Sequence, residues 1–319
     1  MSPAGAQGLL VAYAVAATAT CLLTPAVRRL SVRSGALDLP NERKMHQRPL
    51  PTSGGLAIIA GFLVACLAAG VGRELGWRQF LAILAGALWV ALVGLVDDRR
   101  DLPAKLKLAL QVVSAAPLLM AGVTITVVSQ PFRPGMIFLP GWLAAAVTVL
   151  WVVGVTNAIN LIDGLDGLAA GVSAIACAAL AVVALAWGQL PVTLLCAALA
   201  GAAVGFLPWN WHPSSIIMGD TGAYFLGYLI ASVTIIGAFK MAAAIAIFVP
   251  ILVLAVPLLD TVLSPVRRVL TGRPAFRADR DHLHHRLVAL GLSEPRVVLL
   301  TYVVTAVCGA IAIWISRKV

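Results

Sequence analysis

In a chain of 319 residues, 61% are hydrophobic and 11% charged, and mean hydropathy is +0.98. Soluble domains carry about a quarter charged residues, so this composition excludes a soluble enzyme and indicates an integral membrane protein crossing the bilayer many times. The net charge of +10 does not indicate nucleic acid, because no basic stripe is interleaved with aromatics and the positive residues sit beside apolar segments.

About ten segments reach spanning length, over residues 8–27, 55–72, 79–96, 107–122, 141–158, 167–187, 192–208, 216–237, 241–262 and 297–315. The expected fold class is all-α, a polytopic helical bundle forming a single transmembrane domain over residues 1–319. The opening run lacks a basic flank and reads as a retained helix, not a cleaved leader. Pro131, Pro134 and Pro140 make 123–140 a loop, and Pro250 and Pro257 interrupt the ninth segment. The five cysteines are scattered without metal-ligand spacing and read as small apolar filler.

An even number of spans leaves both termini on one side. Basic residues concentrate after the odd-numbered segments: Arg28, Arg29, Arg33, Arg43, Lys44 and Arg48; Arg99, Arg100, Lys105 and Lys107; then Arg267 through Arg296. The positive-inside rule sets those loops in the cytoplasm and both termini on the outer side. Every acid except Glu74, and all five histidines, fall on or near the same face. Loops 28–54, 97–107, 157–167, 208–222 and 263–296 are therefore expected to form a cytoplasmic active-site face of the plasma membrane.

Five stretches carry polar chemistry. NAINLIDGLDGLA (157–169) brings Asn157, Asn160, Asp163 and Asp166 between two apolar runs, and ionisable groups at membrane depth mark functional sites. A plain helix cap explains one of these aspartates but not the set. Asp97 and Asp98 end the third segment; adjacent helical residues point about 100° apart and can serve different partners, although a solvated helix end beside Arg99 and Arg100 would look the same. Gly219–Asp220–Thr221–Gly222 opens the eighth segment, where Asp220 is either an N-cap or an oxygen ligand for Mg2+. His282, His284 and His285, with Arg280 nearby, form a cationic cluster suited to phosphate more than to zinc, or a basic loop against anionic lipid. NERKMHQRPLPTSGG (41–55) ends in a turn that topology alone does not explain.

PTSGG, VDDRRDLPAKLK, NAINLIDGLDGLA, MGDTGAYFLG and DRDHLHHRL, in this order, resemble the polyprenyl-phosphate N-acetylhexosamine-1-phosphate transferase family, and the last of them its WecA/TagO-like branch more than the MraY type. The resemblance implies transfer of an N-acetylhexosamine-1-phosphate, foremost GlcNAc-1-phosphate, from a UDP-sugar to undecaprenyl phosphate, with Mg2+ or Mn2+ and release of UMP. Carried over by motif position, Asp220 is the main metal ligand and Asp98 a second. Asp97, Asp98, Asp163, Lys107, His282 and His284 are catalytic, with Asp97 the proposed base. Arg48, Thr52, Asn160, Asp166, Arg280 and His285 bind substrate. Arg48 stands where relatives of the MraY type have a lysine, and the two are not interchangeable. The resemblance also implies a homodimer. Two other readings use the same residues: an ion-coupled transporter, which places carboxylates on broken helices at mid-membrane depth, and a membrane scaffold indifferent to loss of the aspartates.

Overall fold

The computed structural model describes residues 3–39, 48–129, 136–238, 248–259, 261 and 287–318. Its helices are α1 (Pro3–Arg33), α2 (Gly55–Ala68), α3 (Val71–Leu75), α4 (Trp77–Arg100), α5 (Ala104–Ser114), α6 (Ala116–Met120), α7 (Gly141–Ile162), α8 (Leu168–Ala186), α9 (Leu190–Asn210), α10 (Gly219–Ala238), α11 (Phe248–Val253) and α12 (Glu294–Ser316). Among the described residues, seven helices are long and apolar enough to cross a membrane: α1, α4, α7, α8, α9, α10 and α12. The protein is a multi-pass membrane helical bundle.

The segment expected over 55–72 is the 14-residue α2 followed by the short α3. The one expected over 107–122 breaks at Ala115 into α5 and α6. Pro117, at the start of α6, has no N–H to donate to the preceding turn. The loop expected over 123–140 contains an antiparallel ribbon, β3 (Val127–Ser129) against β4 (Met136–Phe138), whose Val127–Phe138 pairing suits extended backbone. A second ribbon joins β1 (Leu37–Asp38) to β2 (Leu50–Pro51).

Helix α10 lies at the centre, against α4, α7 and α2; α9 packs on α1 and α8, and α12 lies outside α8. Tyr224, Phe225, Tyr228, Phe62 and Phe206 fill the core, with Phe62 and Phe225 edge-to-face at 5.6 Å. Several polar groups between helices find partners there, as an apolar surround favours. Tyr228 donates to the Ser114 carbonyl at 3.0 Å, and the Gln111 and Asn157 amides bond each other. Outward-facing Leu22, Leu150 and Val303 present the apolar exterior a bilayer needs. The ends of α4, α7 and α9 and the starts of α5, α8, α10 and α12 meet at one face, where the polar motifs collect.

Candidate active site

The start of α10 is assembled from three separate stretches. Between β2 and α2, the PTSGG turn bonds backbone to backbone with the run before α10: Ile217 N–H to the Pro51 carbonyl, Gly54 N–H to Ile217 and Gly55 N–H to Met218, each at 3.0 Å. PTSGG therefore serves as a platform under Gly219–Asp220. Gly219 has φ +73°, and a Cβ there would fall 2.6 Å from Asp98 Oδ2 and 2.7 Å from Thr52 Oγ1. Only glycine fits that turn.

The carboxylate of Asp98, at the end of α4, is turned into the N-terminus of α10. It accepts the N–H of Asp220 at 2.7 Å, the N–H of Thr221 at 3.3 Å and the Thr221 hydroxyl at 2.7 Å. It caps a helix other than its own, satisfying backbone donors that lack an intrahelical partner. Asp97, one residue earlier, points elsewhere. It is paired with Lys107 Nζ at 2.6 Å, accepts the Leu102 N–H at 2.8 Å and takes the Tyr224 hydroxyl at 3.2 Å. The expected divergence of two adjacent helical side chains is realised as two different tasks.

Asn160 donates from α7 to Asp220 Oδ1 at 2.7 Å. Asp163 follows as the C-cap of α7. Burial, with the charges of Asp98 and Asp166 behind it, pushes its carboxyl up to about 7. Asp166 is held at the far side of the loop: its Oδ2 accepts the Ser214 N–H at 3.0 Å and lies 3.1 Å from His212 Nδ1. Glu294 Oε2 approaches the same nitrogen at 3.5 Å, and the three ligand atoms lie within 4.8 Å of one another.

These groups share one cavity of about 1210 Å³. Of the residues expected from sequence, Arg48, Thr52, Asp97, Asp98, Lys107, Asp163, Asp166 and Asp220 line it, and Asn160 stands behind Asp220. His282, His284, His285 and Arg280 lie outside the described residues. Asn210, His212, Glu294, Tyr224 and Tyr302 were not singled out beforehand. A lone histidine, acid or tyrosine in an apolar run has no spacing to betray it. The one visible hint was Asp166 followed by Gly167, a glycine with φ +77° whose carbonyl takes the Tyr302 hydroxyl.

A hard divalent cation fits the cavity. Around Asp220 stand the carboxylates of Asp97 and Asp98, while the Asn160 amide nitrogen donates to Asp220 Oδ1 and the Lys107 ammonium pairs with Asp97. Such a set suits Mg2+ or Mn2+ better than softer metals. Asp98 is committed to the α10 backbone and Asp97 to Lys107, while Asp220 shares its carboxylate with Asn160 and Asp97; Mg2+ commonly takes one or two carboxylates with water and substrate phosphate.

Comparison with known proteins gives the same direction. Residues 80–238, from α4 through α10, match the family described as Glycosyl transferase family 4. A probable undecaprenyl-phosphate N-acetylglucosaminyl 1-phosphate transferase of Bacillus subtilis is 39% identical over 315 residues, covering 97% of this chain and 87% of that one. A decaprenyl-phosphate N-acetylglucosaminephosphotransferase of Mycobacterium tuberculosis is 38% identical over 315 residues, covering 90% and 77%. A phospho-N-acetylmuramoyl-pentapeptide-transferase of Shouchella clausii is 33% identical over 320 residues, covering 97% and 96%. Together with the convergence of the DD, NxxNxxDGxDG and GDTG stretches on one cavity, these similarities establish that the chain is an enzyme of glycosyl transferase family 4, the membrane polyprenyl-phosphate N-acetylhexosamine-1-phosphate transferases.

Proposed function

We propose that this enzyme transfers GlcNAc-1-phosphate from UDP-GlcNAc to undecaprenyl phosphate, releasing UMP, at the cytoplasmic face of the plasma membrane. The observation that carries the reading is the meeting of Asp97, Asp98, Asp163, Asp220 and Lys107 in one cavity at the ends of membrane helices. A lipid phosphate stays anchored by its chain, so its reacting oxygen must be met where bilayer and water adjoin. A nucleotide sugar comes from the water. Two of the relatives above are named for undecaprenyl phosphate and decaprenyl phosphate.

In the proposed reaction an oxygen of the lipid phosphate attacks the phosphorus that bears the sugar. The bond from that phosphorus to the bridging oxygen breaks, and the electron pair leaves with UMP. A phosphate monoester at neutral pH is already a nucleophile, so direct attack is favoured over a covalent aspartyl intermediate. Such transfers depend on positioning and charge neutralisation more than on covalent help.

Lys107, held by Asp97, offers its charge to the acceptor phosphate, and Asp97 can take a proton from that phosphate if it arrives protonated. Asp220 would hold the divalent ion, which supplies neutralisation of the diphosphate and of the departing UMP. Asp98, first expected as a second ligand, seats Asp220 by fixing its backbone. Asp163 and Asp166 handle the nucleotide side, with Arg48 reaching the Ser214 carbonyl next to Asp166 and Thr52 lying beside Gly219. His282, His284, His285 and Arg280 are assigned to the diphosphate by motif alone.

Ten spans, outer termini and a homodimer complete the proposal. The test is UMP release from UDP-GlcNAc by purified protein, with and without undecaprenyl phosphate and Mg2+. Release must require all three, and ion flux in liposomes without transfer would contradict it.

A further inference from the structure

Helix α12 packs along α8 and α11, on the outside of the bundle. Two of its side chains nevertheless reach the loop that carries Asp163 and Asp166. Tyr302 donates its hydroxyl to the Gly167 carbonyl at 2.5 Å. Glu294 meets His212 Nδ1 at 3.5 Å, and that nitrogen lies 3.1 Å from Asp166 Oδ2.

The surroundings are shaped for these contacts. A side chain at Gly171 would overlap the Tyr302 phenol. The Trp211 ring lies 6.3 Å from that of Tyr302, tilted by 53°. From α9, Asn210 accepts the Gly167 N–H at 3.1 Å and donates to the Ile216 carbonyl at 3.1 Å, tying the same loop to the run that leads into Asp220. An acid in the first turn of a helix is favourable on dipole grounds alone. That would account for Glu294 at the start of α12, but not for its approach to His212 or for Tyr302 closing on the loop two turns later.

We propose that Glu294 and Tyr302 are positioning residues: acting through His212 and the Gly167 carbonyl, they set the Asp163–Gly167 loop against Asp220 and so fix the nucleotide sugar. The proposal rests on the assignment of that loop to the UDP-sugar. Helix α12 is then part of the active-site frame, although it contributes no group to the reacting atoms.

The experiment is steady-state kinetics of the full-length protein in detergent, varying UDP-GlcNAc and undecaprenyl phosphate separately. Glu294→Ala, His212→Ala and Tyr302→Phe should each raise KM for UDP-GlcNAc about tenfold, the equivalent of one lost hydrogen bond of ordinary strength. KM for the lipid and kcat should stay within about twofold of wild type. The double variant Glu294→Ala/His212→Ala should be no worse than His212→Ala, because the two act in series. His212→Asn, whose amide can place a donor near the Nδ1 position, should recover most of the donor affinity, which a loss of packing would not.

Wild-type-like KM for UDP-GlcNAc in all three single variants overturns the proposal, as does a rise in both KM values together. So does a Zn2+ or Mn2+ ion that binds Asp220→Asn and is lost in Asp220→Asn/His212→Ala, which would make the cluster a cation site. A wild-type protein that releases no UMP would instead overturn the transferase reading, and the positioning role with it.

Discussion

Asp98, the last acid of α4, accepts the backbone N–H of Asp220 at 2.7 Å, so one carboxylate fixes the place of another far along the chain. The same carboxylate takes the hydroxyl and N–H of Thr221. A negative group at a helix N-terminus is favoured both by the free donors and by the helix dipole. The arrangement also sets Asp220 at the head of α10 without using its own carboxylate as the cap.

Thr221→Val keeps the shape and removes the hydroxyl bond. It should cost about 1.5–3 kcal/mol, the usual range for a hydrogen bond to a charged acceptor. Combined with Asp98→Asn the loss should be smaller than the sum of the two. Thermal unfolding in detergent measures both, and strict additivity would show that the two groups do not act on each other.

Lys107 and Asp97 are paired at 2.6 Å, with Tyr224 completing the set. Lys107→Met should lower kcat by about 10²–10³-fold, the range for removing one preorganised group that stabilises developing charge. Lys107→Arg should fall well short of restoring it, because a planar guanidinium cannot occupy the site of a point charge. Single-turnover rates with both substrates saturating check this; wild-type turnover in Lys107→Arg would mean that only the net charge matters.

Gly94 and Gly154 make a contrast within one bundle. A Cβ at Gly94 would fall 2.5 Å from the Asp220 carbonyl oxygen, whereas nothing lies within 4 Å of the corresponding position at Gly154. Gly94→Ala should lose at least about 1–3 kcal/mol from overpacking, and activity with it as α4 moves off α10. Gly154→Ala should gain about 0.5–1 kcal/mol from helix propensity. Equal effects at the two sites would contradict the close packing of α4 on α10.

Asp163 gives a pH dependence with a definite sign. Its carboxyl is raised to about 7 by burial and by the neighbouring charges of Asp98 and Asp166. Between the ordinary carboxylate value of about 4 and 7, the folded state therefore holds a proton that the unfolded state has released. Stability should fall as pH rises through that window and level off above it. Asp163→Asn should flatten the slope, and Mg2+ should restore stability at the upper end. Unfolding midpoints across pH 4–8, in chelator and in Mg2+, measure this; a stability that climbs with pH in chelator would contradict the assignment.

Much of the site was legible in the residues, because acids and amides are costly in an apolar segment and stand out wherever they occur. Asp163 and Asp166 stand out on that ground, Asp97, Asp98 and Asp220 as acids at segment ends within family-like motifs, and all five line one cavity. What each one touches was not legible. Nothing in the order of residues says that Asp98 turns to α10 while Asp97 turns to Lys107, since that depends on how α4 crosses α10. PTSGG reads as a turn that could close over an anionic ligand and as a family-like motif; its backbone bonding to Ile217 and Met218 is not legible in the residues. Hydropathy located the long helices but ran smoothly through Ala115, where Pro117 breaks the path between α5 and α6. His212, Glu294 and Tyr302 escaped because single polar residues acquire meaning only when distant helices meet.

In the proposed transfer, Asp220 carries the divalent ion that serves the lipid phosphate acceptor. The most direct measurement is UMP release by Asp220→Asn beside wild type, across a Mg2+ titration, with UDP-GlcNAc and undecaprenyl phosphate present and folding checked by thermal unfolding. A folded variant about a thousandfold slower at any Mg2+ concentration is expected, in line with losing a principal charge-stabilising group, together with a wild type silenced by chelator. Turnover near the wild-type rate in Asp220→Asn, or undiminished wild-type activity in chelator, would contradict it.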